Sequence, residues 1–207
     1  MSDVKESHEE RTANEPRDTW VDTYCPGIAK AGGFTITSTP SKATSSLSGR
    51  YIELAVKRSL DNPAAAWLWQ DKQRILGQTL RVRIGGSFVF PPPKAPSAFV
   101  KDRSARVVFV AGGVGINPLI SMATYLSEVN KARSNAGEPD NAGCEVIFLY
   151  SVRVDGTASP EDDSGDDGSN DEIAQIPFLP RLAALYGSKA IRGHLTRVPF
   201  ALIIELE

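Results

Sequence analysis

Residues 111–118 read Ala-Gly-Gly-Val-Gly-Ile-Asn-Pro, between the apolar run "RVVFV" and the stretch "LISMATYLSEV". Three glycines at the junction of a buried-strand pattern and a helical pattern restrict the local fold more than any other feature of the chain. Asn117 is a favoured N-cap and Pro118 suits a first helical position, so the spacing predicts a helix that starts where the glycines stop. A strand that delivers a side-chain-free loop to a helix N-terminus presents backbone N–H groups and the positive end of the helix dipole, and both favour a phosphate. Gly112, Gly113 and Gly115 would let that phosphate approach without meeting a Cβ. The competing reading is that these glycines only supply backbone angles. Pro118 stands where the dinucleotide fingerprint G-x-G-x-x-G needs its third glycine, and the loop has no P-loop lysine.

The flanks carry the next layer. "RVVFVA" and "CEVIFLYS" are continuous apolar runs suited to parallel strands covered on both faces. Between them, from Pro118 to about Lys131, residues Leu119, Met122, Ala123, Leu126 and Val129 share one helical face. Strand, helix, strand is a βαβ unit with a right-handed crossover. Upstream, from Trp20 to about Pro96, the pattern differs: "WVDTY", "GGFTITS", "YIELAVK" and "TLRVRIGGSFVF" are short β-type runs separated by turn residues. Ile52, Leu54 and Val56 alternate with polar or small neighbours, and Leu80, Val82 and Ile84 alternate with Arg81 and Arg83, predicting strands with one buried face. "NPAAAWLWQDKQRIL" is the one helix expected in this half, opened by Pro63. The proline-rich residues 91–99 form a stiff connector to an open α/β sheet, so the first half is expected to be a small β-barrel or sandwich.

Composition removes several classes. A net charge of −2 and the absence of a basic run with interleaved aromatics argue against nucleic acid. The two cysteines, Cys25 and Cys144, are too few and too far apart for a disulfide scaffold, and His8 and His194 lack neighbours at ligand spacing, so no metal site is expected. No stretch reaches the roughly 20 apolar residues of a spanning helix. Residues 1–18 have almost no apolar side chains and are expected to be a disordered tail too acidic for a signal or transit peptide. Residues 154–172 hold eight acidic residues and no basic one, a pattern expected of a disordered, solvated insertion, and without them the remainder carries +6.

The blocks "GGFTITS", the proline-rich connector, "VFVAGGVGINPL" and "VIFLYSVR", in this order and spacing, resemble the ferredoxin-NADP reductase superfamily and most closely its oxidoreductase NAD-binding domain-containing group. Residues 19–155 carry the likeness, with weaker echoes at "IPFLPRLAAL" and "RGHLT". The resemblance implies an α+β chain of two domains: a partial antiparallel FAD-binding β-barrel of the FR type over 19–97, then an incomplete parallel α/β NAD(P)-binding domain over 98–207. By resemblance, Gly112, Gly113, Val114, Gly115, Asn117 and Pro118 lie along the dinucleotide pyrophosphate, while Ser151 and Arg153 serve the adenosine half. A bidentate Arg153 would read a 2′-phosphate, against a plain exposed arginine after a strand, so NAD and NADP both stay open. Phe34 would flank the isoalloxazine ring and Thr35 would bond the cofactor, within the flavin-facing stretch Phe34, Thr35, Ile36 and Thr37; a core aromatic is the other reading of Phe34.

The chain departs from that pattern in three places. Gly32 replaces the motif's arginine, Ala66 stands where a hydroxyl is usual, and nothing like the Cys-Gly-Pro segment follows residue 193. Trp67 and Trp69 are either stacking residues or core. The first barrel strands are also expected to be missing, so the chain has the pattern of a shortened form. The expected function is an oxidoreductase passing hydride between NAD(P)H and bound FAD, with an unknown electron acceptor and no catalytic acid or base assigned. The alternative is a non-catalytic, truncated nucleotide-binding module. The resemblance implies a soluble setting, mitochondrial or cytoplasmic.

Overall fold

The computed structural model describes residues 19–44, 49–96, 98–139, 143–151 and 176–197. The expected tail 1–18, Arg153 and the acidic stretch 154–172 lie outside these residues. The described residues form two three-stranded sheets. In the antiparallel one, β1 (Trp20–Tyr24) is central between β2 (Gly32–Thr35) and β3 (Arg81–Gly85). In the parallel one, β5 (Glu145–Ser151) is central between β4 (Arg106–Gly112) and β6 (Arg192–Arg197). Five α-helices complete the described elements: α1 (Pro40–Thr44), α2 (Pro63–Leu68), α3 (Lys72–Ile75), α4 (Ile116–Asn135) and α5 (Leu179–Gly187). This is the two-part α+β architecture expected from the sequence, but the antiparallel sheet does not close into a barrel.

Most of the core belongs to the parallel sheet. Helix α4 lays Leu119, Met122, Ala123 and Leu126 against Val107, Phe109 and Ala111 of β4 and Val146, Phe148 and Tyr150 of β5, all buried. Phe90 from the connector continues this packing edge-to-face onto Phe109, which meets Phe148 in the same way, with centroids 5.7 and 5.6 Å apart. Residues 176–187 and 192–197, the weaker echoes in the sequence, supply α5 and β6, with Leu179 and Leu182 of α5 in the same core. No helix among the described residues is long and apolar enough to cross a membrane.

Several local expectations are corrected. The β4 run is buried on one face only: Val108 and Val110 are 55% and 67% exposed, because no described element packs over that side. "YIELAVK" forms no strand. It makes a single bridge, Ile36 to Leu54, while Thr37 gives both its N–H and its hydroxyl to the Glu53 carbonyl and Ser38 Oγ accepts the Glu53 N–H. Side chains there take the bonds a ladder would use. Val82 and Ile84 lie exposed rather than in a core, on the edge strand β3. The helix expected over 62–76 divides: Asn62 caps α2 through Ala64 and Ala65 N–H, and Asp71 caps α3. At the break, Trp69 is half exposed and its indole N–H donates to Val56 O at 2.9 Å. Cys25 and Cys144 are buried free thiols.

Phe148 is fully buried at the β5 end of the ring stack. Phe148→Ala is expected to lower the unfolding free energy by about 3–5 kcal/mol, measured by urea denaturation.

Candidate functional site

Strands β4 and β5 run in parallel register, placing Gly112 directly opposite Ser151 at their C-terminal ends. The chain then makes one tight turn, Gly113–Gly115, straight into α4. This is the crevice outside the carboxyl ends of a parallel sheet, where α/β folds bind their ligands. An ideal Cβ on Gly112, Gly113 or Gly115 would meet no heavy atom of the described residues within 4 Å, so among these residues the approach to this backbone is open. Gly113 has φ +50°, a conformation side-chain-bearing residues rarely take. Val114, between these glycines, is 57% exposed. The 20 residues of α4 aim their positive dipole end at the same turn. Tyr150 closes the floor, fully buried, with its hydroxyl 3.5 Å from Gly113 O, the outer limit of a hydrogen bond. Burial pushes its phenol pKa up, so it remains a neutral donor.

Asn117 does not cap the helix. Gly115 holds that position, and α4 starts at Ile116. Asn117 sits inside the first turn, 6% exposed, and its side-chain NH₂ donates to Ala55 O at 2.9 Å. Pro118 follows in that turn, where its missing N–H costs no intrahelical bond. Gly112, Gly113, Val114 and Gly115 therefore share one open turn with Ser151 beside it, whereas the Asn117 side chain is turned away into the neighbouring segment. Arg153 lies outside the described residues.

The four flavin-facing residues do not gather around a common opening. Phe34 is half buried with its ring over Gly32: an ideal Cβ on Gly32 would lie 2.7 Å from Phe34 Cζ and 2.6 Å from Ala64 Cβ. Thr35 pairs with Trp20 in the sheet, and Ile36 bridges to Leu54. Thr37 is fully buried with its hydroxyl already committed to Glu53 O. The Ala64 and Ala65 N–H groups of α2 are used by Asn62 Oδ1. The space that a pyrophosphate-binding arginine would need at position 32 is filled by Ala64 of α2 and the Phe34 ring, so among the described residues this position does not fit a flavin.

Three polar side chains were not singled out from the sequence: Ser121 and Glu128 on α4, and Thr39 opposite them. Ser121 Oγ donates to Ser38 O at 2.8 Å, and Glu128 Oε1 accepts from Thr39 Oγ1 at 2.7 Å and from Ser41 Oγ at 2.9 Å. Their signal was the polar spacing Asn117, Ser121, Glu128 along the helix, which hydrophobic periodicity passes over.

The fold is similar to that of ferredoxin-NADP reductases. A ferredoxin-NADP+ reductase from Plasmodium falciparum, solved with 2′P-AMP, shares this fold at a TM-score of 0.53 and 13% identity, over 89% of this chain and 61% of that one. Among curated proteins, the chain is similar to oxidoreductase NAD-binding domain-containing protein 1. It is 38% identical to the Bos taurus protein over 134 residues, 65% of this chain and 39% of that protein. It is 40% identical to the Xenopus laevis protein over 137 residues, 66% of this chain and 40% of that protein. The chain thus spans about two fifths of the length of these relatives. No family model matches it.

The Gly32–Ala64 contact gives a direct test. Gly32→Ala is expected to destabilise the protein by about 1–3 kcal/mol in urea unfolding through overpacking, and Gly32→Arg, although it restores the motif's cation, is expected to leave flavin binding no stronger in an FAD titration.

Proposed function

We propose that this chain is a nicotinamide-dinucleotide-binding module of the oxidoreductase type, taking the pyrophosphate of NAD(P)H on the Gly112–Gly115 turn. One observation carries the reading: a glycine turn at the C-terminal edge of a parallel sheet, open over all three glycines and aligned with the N-terminus of a long helix. In this reading Ser151, level with Gly112, serves the adenosine half, and Arg153 takes the 2′-phosphate of NADP where it is present. The similarity to proteins named for an NAD-binding domain supports the same ligand class.

The wider reaction implied by the resemblance is hydride transfer between NAD(P)H and bound FAD, with onward passage to an unknown acceptor. FAD would supply the electron store for that reaction. The filled space at Gly32 and the committed hydroxyl of Thr37 favour the non-catalytic module for this chain taken alone.

Two titrations test these statements. NADH fluorescence should report saturable binding to the wild-type protein, and Gly113→Val should weaken it at least about tenfold, since a β-branched residue at positive φ costs about 1–3 kcal/mol and its side chain blocks the phosphate. Equal binding by the variant would move the site elsewhere. Purified protein should show no flavin absorbance after FAD addition and gel filtration; retained flavin that NADH bleaches would restore the hydride-transfer reading.

A further inference from the structure

Helix α4 has two working faces. One is apolar and packs on the parallel sheet; the other carries Asn117, Ser121 and Glu128, and each of these bonds to a segment of the antiparallel half. Asn117 Nδ2 reaches Ala55 O, Ser121 Oγ reaches Ser38 O, and Glu128 Oε1 collects the hydroxyls of Thr39 and Ser41, with Thr39 only 2% exposed. The receiving segments are themselves joined, because Thr37 N–H donates to Glu53 O and Glu53 N–H to Ser38 Oγ. An ion pair from Arg181 of α5 to Glu53, 3.0 Å long and partly exposed, adds a weaker tie at the same place. The helix whose first turn follows the glycines is therefore held along its length by the other half of the molecule.

We propose that Asn117, with Ser121 and Glu128 behind it, is a positioning residue for the dinucleotide site: it seats the start of α4 against residues 38–41 and 53–55 and makes dinucleotide affinity depend on that contact. This inference rests on the proposed dinucleotide site. The physical reason is preorganisation. An anion bound by backbone N–H groups gains most when those groups are already fixed in direction, and the Asn117 bond lies within two residues of Gly115. Binding and the seam are then linked in both directions: if the seam tightens the site, dinucleotide tightens the seam.

The test compares Asn117→Ala, Glu128→Ala and Glu128→Gln with wild type, each checked for folding by circular dichroism. Glu128 lies about 18 Å along the helix axis from the turn, at 1.5 Å per residue, beyond contact with a pyrophosphate there. NADH titration is expected to show about tenfold weaker binding for Asn117→Ala, which strands a buried carbonyl, about threefold for Glu128→Ala, and near wild-type binding for Glu128→Gln, which keeps the acceptor. In hydrogen exchange, NADH should slow the amides of Thr37 and Glu53 in wild type and leave them unchanged in Asn117→Ala. Wild-type binding that all variants share equally, or protection confined to residues 112–118, overturns the proposal while leaving the site in place. Absence of NADH binding by wild type overturns the dinucleotide reading itself, and the proposal falls with it. Should Asn117→Ala fail to fold, the Glu128 pair decides.

Discussion

The packing of α4 is the constraint on which the rest of the structure depends. Its apolar side completes the core of the parallel sheet, and without it Phe109, Phe148 and Tyr150 would lose their cover. Its N-terminus is fixed where β4 ends because the intervening turn is three residues long and passes through a positive φ at Gly113. Its polar side holds Ser38, Thr39, Ser41 and Ala55, in two segments whose described residues share the single β-bridge Ile36 to Leu54. A single helix thus sets the position of the glycine turn, the core and the joint between the two sheets.

The division of labour between sheets follows from burial. The parallel sheet buries one continuous face and has the large aromatic stack. In the antiparallel sheet Val21 and Thr23 are fully buried, and Gly32 lies against Ala64 of α2. Ion pairs on its surface, such as Arg83 with Asp22, are exposed on the arginine side and contribute little.

What the sequence made legible follows the same line. The strand–glycine–helix junction, the order of the two halves and the apolar face of α4 were readable because each has a strong local cause: periodicity, turn chemistry and helix entry. The strand expected over 51–57 was not, because whether an alternating run finds a ladder depends on its neighbours, and Thr37 and Ser38 answered the backbone with side chains instead. The exposure of Val108, Val110, Val82 and Ile84 was hidden for a related reason: a run's hydrophobicity says it suits burial, while the covering element is a matter of the whole fold. Asn117 shows the limit most clearly. Its residue type predicts a cap, yet the cap falls two residues earlier, at Gly115, and a partner 62 positions away claims its amide.

The contact between Gly32 and Ala64 also has a meaning for descent. Glycine and arginine codons can differ by one base, so in genetic distance an arginine at position 32 is a short step away. In the folded chain it is far: Ala64 is already nearly the smallest residue available, and α2 as a whole would have to withdraw before any side chain could stand at position 32. Position 32 is therefore closed by its neighbour and not by its codon: a larger side chain there waits on a prior change in α2.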